Sequence, residues 1–382
     1  MFTVAPLRPD VRLQRIEHAR TAVMKGHENT RAIGESLGVQ PWIERSWERC
    51  MLLGHRPEQR VAFDPISTAM ARRTFEANQR LAHAARPVLD QLGHAMAHTR
   101  YFAILTNAAG VVVDAHGPID RSDRRAEAVT RVGVDLSEAN IGTSAIGAAL
   151  HELQPVWLHR GEHFFQDTSV YSCAGAPVFG PQGQCVGMLD LTGVEAVERP
   201  ELVHLVAQSA RSIENALVLH LQHTLLVRIN WPGLRLGEEA DGLVCLDADG
   251  SVLGMNPAAL HMTGAATRQT PSGLGWHAGD LFALPFELLF DAARAGHTCT
   301  EVPLWSGLRL NAQALLRNQR ARLVDTTAAA GPSALPLKDL ETSLILQAVR
   351  DARGNVAQAA KTLGISRTTV YRKLSPAARK PH

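Results

Sequence analysis

The residues best placed to do chemistry lie near the end of the chain, and the chemistry is polar contact with a charged polymer. Arg367, Thr368, Tyr371 and Arg372 fall on one face of a helical period, and Val370 and Leu374 fall on the other. Arg367 can read guanine with two donors, and Thr368 offers a base edge a hydroxyl or a methyl. Ser366 can cap this helix, and Thr369 stands beside the reading positions. Lys361, Arg372 and Lys373 suit phosphates, which position without specifying. From Lys361 to His382 there are six Lys or Arg and no Asp or Glu, so the local field has one sign. The elements that must hold this face are legible upstream. Asn355 caps a first helix, in which Val356, Ala359, Ala360 and Leu363 share a side. Gly364 ends it without a Cβ penalty, and Ile365 plugs the junction. The pattern is a helix-turn-helix, whose second helix lies in the major groove of double-stranded DNA. The plainer alternative is a helical hairpin with a solvated basic face. Ahead of it, Leu337, Leu340, Leu344, Ile345, Ala348 and Val349 make an apolar stripe wider than one hairpin covers. The excess is read as a dimer seam, so a homodimer on a palindromic operator is expected.

A second group of candidates sits mid-chain. Trp157, Phe164, Phe165 and Tyr171 crowd one interval. They suit the wall of a pocket for a small apolar or aromatic ligand, or else packing between sheet and helices. Cys173 reads either as a ligand or redox contact or as a small buried apolar residue; no Lys or Arg neighbours it, which favours the second. His159, Glu162 and His163 carry metal-ligating atoms, but Arg160 and Gly161 between them suggest a turn. His94 and His98 have helical spacing and read as a solvated pair. Neither a metal nor a cofactor is expected. No His-Glu-x-x-His string occurs and the carboxylates are scattered, so an enzyme is not expected.

With 382 residues the chain has room for two or three domains, and 45% hydrophobic with 20% charged residues is ordinary for a globular protein. The net charge of +2 hides the basic excess at the C-terminus. Five Cys without paired spacing fit a reducing compartment. The first ten residues lack an apolar signal core, and no run of about 18 apolar residues occurs. A cytoplasmic protein without a membrane span is expected.

Residues 11–60 read as amphipathic helix, with Ile16, Ala19 and Val23 in one stripe and Ile43, Trp47 and Cys50 in another. Ile33 to Trp42 faintly imitates a second helix-turn-helix, although Pro41 and Trp42 stand where groove-facing polar residues would be wanted. A long helix over 67–99 follows, bent or broken at Pro87. Strand runs at 101–106, 111–115, 156–158, 172–179 and 184–191 surround a helix at 141–150. A closing helix from about 200 to 226 completes an α+β domain with an antiparallel or mixed sheet. A hairpin at 242–254, turning at Asp249-Gly250, opens a smaller unit that closes with strands near 300–304 and 308–316. Residues 325–334 read as a flexible linker.

Three segments together resemble the regulators of the acetoin-catabolism type, which join an N-terminal GAF sensory domain to a Fis-type helix-turn-helix. Arg45-Ser-Trp-Glu-Arg-Cys50, with Gly54, resembles that family's N-terminal signature. Gly133-Val-Asp-Leu-Ser-Glu-Ala-Asn-Ile-Gly-Thr-Ser-Ala-Ile-Gly147, Glu162-His-Phe164, Ser172–Pro177 and Gly187–Gly193 resemble its GAF motifs in order. Glu341 to Leu374 resembles the Fis-type module, and 242–254 the PAS-like segment of some members. The family usually has Trp where this chain has Leu136 and Asn where it has Ser144, both near the expected ligand side. The resemblance implies a transcription factor that senses a small molecule. Full-length members also carry an AAA+ ATPase for sigma-54 polymerase, which needs Gly-x-x-x-x-Gly-Lys-Ser/Thr. No such string occurs in this sequence.

These readings combine into a multidomain α+β protein. Residues 1–66 form a helical segment, 67–228 a GAF domain and 238–318 a PAS-like unit. Residues 319–335 are a linker and 336–382 an all-α Fis-type domain. The ligand-facing candidates are Leu136, Ser144, Trp157, Phe165, Tyr171 and Cys173. The expected partners are double-stranded DNA, a small-molecule effector, a second copy of the chain, and RNA polymerase as a further candidate. Two other roles remain open: a DNA-bound co-regulator of a separate sigma-54 activator, and a nucleoid-type architectural protein.

Overall fold

The structure is a computed structural model that describes residues 9–24, 39–63, 66–267 and 275–317, together with Val356. The expected DNA-contacting residues Lys361, Ser366, Arg367, Thr368, Thr369, Tyr371, Arg372 and Lys373 lie outside the described residues. So do the stripe at 337–349, the linker at 325–334 and most of the faint second helix-turn-helix.

Among the described residues two helices come first, α1 (Pro9–Met24) and α2 (Pro41–Leu52). Pro41 opens α2, where no intrahelical amide bond is lost and its fixed φ suits the helix. Trp42, Ile43, Trp47 and Cys50 bury the inner face of α2. Two more helices follow, α3 (Thr68–Ala77) and α4 (Gln79–Ala95). The break expected at Pro87 falls instead at Asn78, whose side-chain amide donates to Thr74 O at 2.8 Å. Pro87 stays inside α4 because Leu81, Ala82, Ala85, Leu89 and Leu92 bury one face of that helix. At up to about 3 kcal/mol per Leu, that burial outweighs the roughly 3 kcal/mol that an internal proline costs. His98 lies past the end of α4, so the helical pairing read for His94 and His98 does not form.

The first sheet contains β1 (Tyr101–Asn107), β2 (Val112–His116), β3 (Val156–His159), β4 (Tyr171–Phe179) and β5 (Cys185–Val194). Its order is β2-β1-β5-β4-β3, antiparallel throughout. Between β2 and β3 run α5 (Arg124–Thr130), α6 (Glu138–Ile141) and α7 (Ala145–Glu152), and α8 (Leu202–Leu219) follows β5. The single helix expected at 141–150 is two, because Gly142 at φ 66° and ψ −159° turns the chain between α6 and α7.

Side chains alternate along each strand, so the sheet separates two cores. Phe102, Ile104, Tyr171, Cys173 and Met188 pack on one face with α1, α2 and α5 to α7. Ala103, Leu105, Ala174, Ala176, Leu189 and Leu191 pack on the other with α4 and α8.

The second sheet contains β6 (Leu225–Asn230), β7 (Gly242–Leu246), β8 (Val252–Met255), β9 (Thr300–Pro303) and β10 (Arg309–Leu316). Its order is β8-β7-β6-β10-β9. Helices α9 (Pro257–Met262), α10 (Ala278–Leu281) and α11 (Glu287–Arg294) belong to the same unit. Its core holds Val227, Ile229, Val244, Leu246, Phe282 and Leu289. Strand β6 corrects the sequence reading, which runs the preceding helix to about 226. The helix stops at Leu219, and Leu-Leu-Val-Arg-Ile-Asn becomes the central strand. A run buried on both faces shows no period of two, so its pattern does not distinguish it from a helix end. The second sheet therefore starts ahead of position 238.

Candidate effector cavity and the helix that latches it

A cavity of about 30 Å³ lies on the first face of the first sheet. The strands contribute Ile104, Cys173, Asp190 and Thr192; α5, α6 and α7 contribute Val129, Ile141, Ala145 and Ile146. Connecting segments add Phe63, Leu136, Ser144, His163 and Thr168, and Tyr171 closes one side. Gly175 pairs with Asp190 across β4 and β5. A Cβ there would stand 2.6 Å from Met188 Cε and 3.0 Å from Ala145 O, so only glycine lets α7 lie this close to the sheet.

Two polar groups in this apolar wall stand out. Asp190 is fully buried, and burial pushes its carboxyl up to about 7. The Thr192 hydroxyl donates to Asp190 Oδ2, while Oδ1 has no hydrogen-bond partner among the described residues. His163 is 1% exposed, and burial lowers its pKa to about 4, so the ring is neutral near pH 7. Its Nδ1 lies 2.9 Å from Arg160 O, which can only accept, so Nδ1 carries the proton and Nε2 presents a lone pair. That Nε2 likewise lacks a partner.

Of the residues expected from sequence to face a ligand, Leu136, Ser144, Tyr171 and Cys173 meet at this cavity. Ser144 also caps α7 by accepting from Gly147 N at 3.1 Å, and the Tyr171 hydroxyl donates to Arg125 O at 3.0 Å. Cys173 Sγ is 3.5 Å from Thr192 Oγ1. Burial, reinforced by Asp190, holds its thiol well above the usual range, so it is no reactive thiolate. Trp157 does not reach the cavity; it is half-buried on β3 and packs with the opposite core. Phe165 lies behind the wall, where a Cβ on Gly142 would approach its ring to 2.9 Å. Sequence reasoning missed Asp190, although a lone carboxylate inside Cys185–Val194 was a signal. The family resemblance put Glu162 and His163 in pocket or loop structure, and His163 lines the cavity. His159 and Glu162 are engaged nearby: His159 Nδ1 lies 2.7 Å from Ser172 Oγ, and Glu162 accepts from His159 N at 2.7 Å. Among the described residues no group of His, Cys, Asp and Glu is placed to hold a metal ion.

The outer side of the cavity wall is held by α2. Arg49 donates to Glu138 through Nε at 2.6 Å and Nη2 at 2.9 Å, and Ser46 Oγ donates to Glu138 Oε2 at 2.5 Å. Ser46 also lies 2.8 Å from the Thr143 hydroxyl, and Arg45 pairs with Glu152. The buried Trp47 donates from Nε1 to Glu162 O at 2.9 Å, next to His163. Arg20 of α1 donates to the carbonyls of His163 and Phe164. Along the α6–α7 elbow, Glu138 and Thr143 face the latch while Ile141, Ser144 and Ala145 face the cavity. One short segment thus touches both.

Residues 35–215 match the MimR N-terminal domain, and residues 336–375 match the bacterial regulatory protein, Fis family, segment. The chain therefore joins a MimR-type N-terminal domain to a Fis-family helix-turn-helix, and its relatives are transcriptional regulators. In particular, it is 27% identical over 263 residues to the acetoin catabolism regulatory protein of Cupriavidus necator, covering 65% of this chain and 37% of that protein. It is 24% identical to the acetoin dehydrogenase operon transcriptional activator AcoR of Bacillus subtilis, over 53% of this chain and 34% of that one. The propane 2-monooxygenase operon transcriptional activator MimR of Mycolicibacterium smegmatis is 30% identical over 46% of this chain and 29% of its own length. The chain spans about a third of the length of these relatives. Among solved structures, a chain of the Escherichia coli DhaR(N)–DhaL complex aligns over 72% of this chain and 99% of its own, with a TM-score of 0.44 and 16% identity. Among the described residues no helix is long and apolar enough to cross a membrane.

Proposed function

We propose that the protein is a cytoplasmic, homodimeric transcriptional regulator that binds a palindromic DNA site and responds to a small-molecule effector. The observation that carries this reading is the pairing, in one chain, of a cavity-bearing MimR-type domain with a Fis-family segment. DNA contact falls to Arg367, Thr368 and Tyr371 at bases and to Lys361, Arg372 and Lys373 at phosphates, with Ser366 and Thr369 at the start of the reading helix. The first sheet serves as a GAF-type sensor and the second as a PAS-like unit.

An occupant of the cavity presses on Ile141, Ser144 and Ala145 and so biases the elbow that Glu138 and Thr143 tie to α2. Such an effector acts only through unequal affinity for two arrangements of the dimer. No ATP hydrolysis is part of this reading. Only residues 317–335 lie between the end of β10 and the Fis-family segment, far fewer than the 100 or so of a typical domain. The same spacing favours a second reading, in which the protein is a DNA-bound partner of a separate sigma-54 activator.

Footprinting the full chain on its promoter, with and without metabolites that raise its melting temperature, tests the proposal. A discrete inverted repeat whose occupancy changes with the metabolite is expected. Uniform, salt-sensitive coverage would refute it in favour of an architectural role. A transcriptional effect that requires an added ATPase would favour the second reading.

A further inference from the structure

We propose that α8 is a lever shared by the two sheets, and that Asn215 is the positioning residue that makes the second sheet follow it. This rests on the sensor reading above and names the route by which a change at the first sheet reaches the chain just ahead of the Fis-family segment. Val206, Ala210 and Ile213 bury one side of α8 in the second core of the first sheet. Ser212, Asn215 and Leu219 fall on the opposite side, at spacings of three and four. In the last turn, Val218 joins Leu226, Leu243 and Cys245 in a cluster that belongs to the second sheet. One helix is thus packed against both sheets.

Polar contacts fix the second side. Ser212 Oγ donates to Glu239 Oε1 and Asn215 Nδ2 donates to Glu239 O, each at 2.9 Å. Asn215 Oδ1 accepts from Asn256 Nδ2 at 2.7 Å. Asn256 is buried; Nδ2 also donates to Asp241 O at 2.8 Å, and Oδ1 accepts from Leu243 N and Ala259 N, each at 2.9 Å. Both donors and both acceptor positions of that amide are used, so a slip of α8 leaves a buried donor unpaired. The tip of the β4–β5 hairpin holds the edge of the same sheet. Met255 N donates to Pro181 O at 2.8 Å, and Gln182 Nε2 donates to Leu253 O at 3.2 Å. A Cβ on Gly254 would stand 2.6 Å from Pro181 Cβ, so the approach is close. The output side is short. Residues 220–224 join α8 to β6, whose first residue, Leu225, pairs with Leu316 at the end of β10. Arg317 N donates to Thr224 O at 3.2 Å, and the Arg317 guanidinium donates to Gln222. A displacement of α8 therefore reaches Arg317 through one short connection, without crossing the second sheet.

Amide hydrogen exchange of the full chain tests this with two substitutions, alone and together. Ile213→Val disturbs α8 on its first-sheet side. It is expected to speed exchange about threefold or more in β4 and β5, and also in β6 and at 315–317, as loss of a buried methyl group does for amides that open together. Asn215→Ala removes the junction. In that background Ile213→Val is expected to act on β4 and β5 still and to lose its effect on β6 and 315–317. Simple destabilisation by Asn215→Ala would speed exchange everywhere without cancelling the second effect. A cooperative melt shows that each variant folds. If the double variant does not, Asn215→Asp, which keeps the acceptor and loses the donor, takes the place of Asn215→Ala. Unchanged exchange in β6 and at 315–317 on Ile213→Val overturns the lever, as does a change there that survives the loss of Asn215. Footprinting of the same variants separates the lever from the regulatory reading. Coupled exchange with DNA occupancy unchanged by Ile213→Val upholds the lever and overturns the role given to the sensor. Uncoupled exchange in a chain whose DNA occupancy still answers to a metabolite overturns the lever and leaves the regulator standing.

Discussion

Asp190 has no exposed surface, and burial pushes its carboxyl up to about 7 against the opposing hydrogen bond from Thr192. Glu214 on α8 is raised to about 7 by the same cause, although it accepts from Phe179 N at 2.9 Å. For both acids the folded pKa exceeds the unfolded value of about 4, so the folded state holds more protons in between. Their contribution is full below about pH 4 and is lost as pH rises toward 7. His163 has the opposite sign: its folded pKa of about 4 lies below the usual 6.5, so stability is lost as pH falls through that window. Asp190→Asn removes one of the terms that decline with pH. At pH 7.5 it is expected to be more stable than the parent by about 2–4 kcal/mol, with the gap closing toward pH 4. Urea unfolding at several pH values measures this, and a gap constant with pH would refute the burial account. Arg49→Ala tests a different buried carboxylate. Glu138 is 4% exposed, and without the guanidinium fork it keeps, among the described residues, Ser46 and a distant His151. A loss of about 2–4 kcal/mol is expected by the same unfolding measurement, with Arg49→Lys in between.

At the scale of elements, the α6–α7 elbow is where the sensor and its latch share one piece of chain. Gly142 makes the turn at φ 66° and ψ −159°, a region open only to glycine, and a Cβ there would meet Phe165 Cε2 at 2.9 Å. Gly142→Ala combines backbone strain with a clash in a packed wall. It is expected to cost about 2–4 kcal/mol and to weaken any cavity ligand, because Ile141 and Ser144 shift with the turn. A calorimetric melt within 1 kcal/mol of the parent would show that the elbow yields freely. Much at this scale was legible. Strands β1, β2, β4 and β5 carry apolar runs bounded by turns, and Asn107 closes the first hairpin by accepting from Ala109 N and Val111 N, each at 3.0 Å. The illegible cases share a cause. Pro87 and β6 both depend on what packs against them, and a local pattern does not carry that information.

For the whole molecule, the division of labour predicts a clean truncation. A chain ending at Arg317 keeps both sheets and the cavity, and it lacks the Fis-family segment at 336–375. It is expected to retain the sensor's melting transition and any ligand shift while losing selective DNA binding. Arg367→Ala in the full chain is expected to do the same. Selective binding by the truncated chain, seen in a mobility shift against competitor DNA, would place the reader elsewhere. By itself, the sequence determined the α+β character and several strands and helix faces, because periods of two and 3.6 and turn residues act over a few neighbours. It also held the two motifs around Ser46–Arg49 and Glu138–Gly147, but not their meeting. Only the tertiary structure decided that Arg49 clasps Glu138, that β6 runs through the middle of the second sheet, and that Asp190 and His163 line one cavity. Those outcomes depend on sheet register and helix docking between residues far apart in the chain, and no local periodicity records which distant surfaces will be buried together.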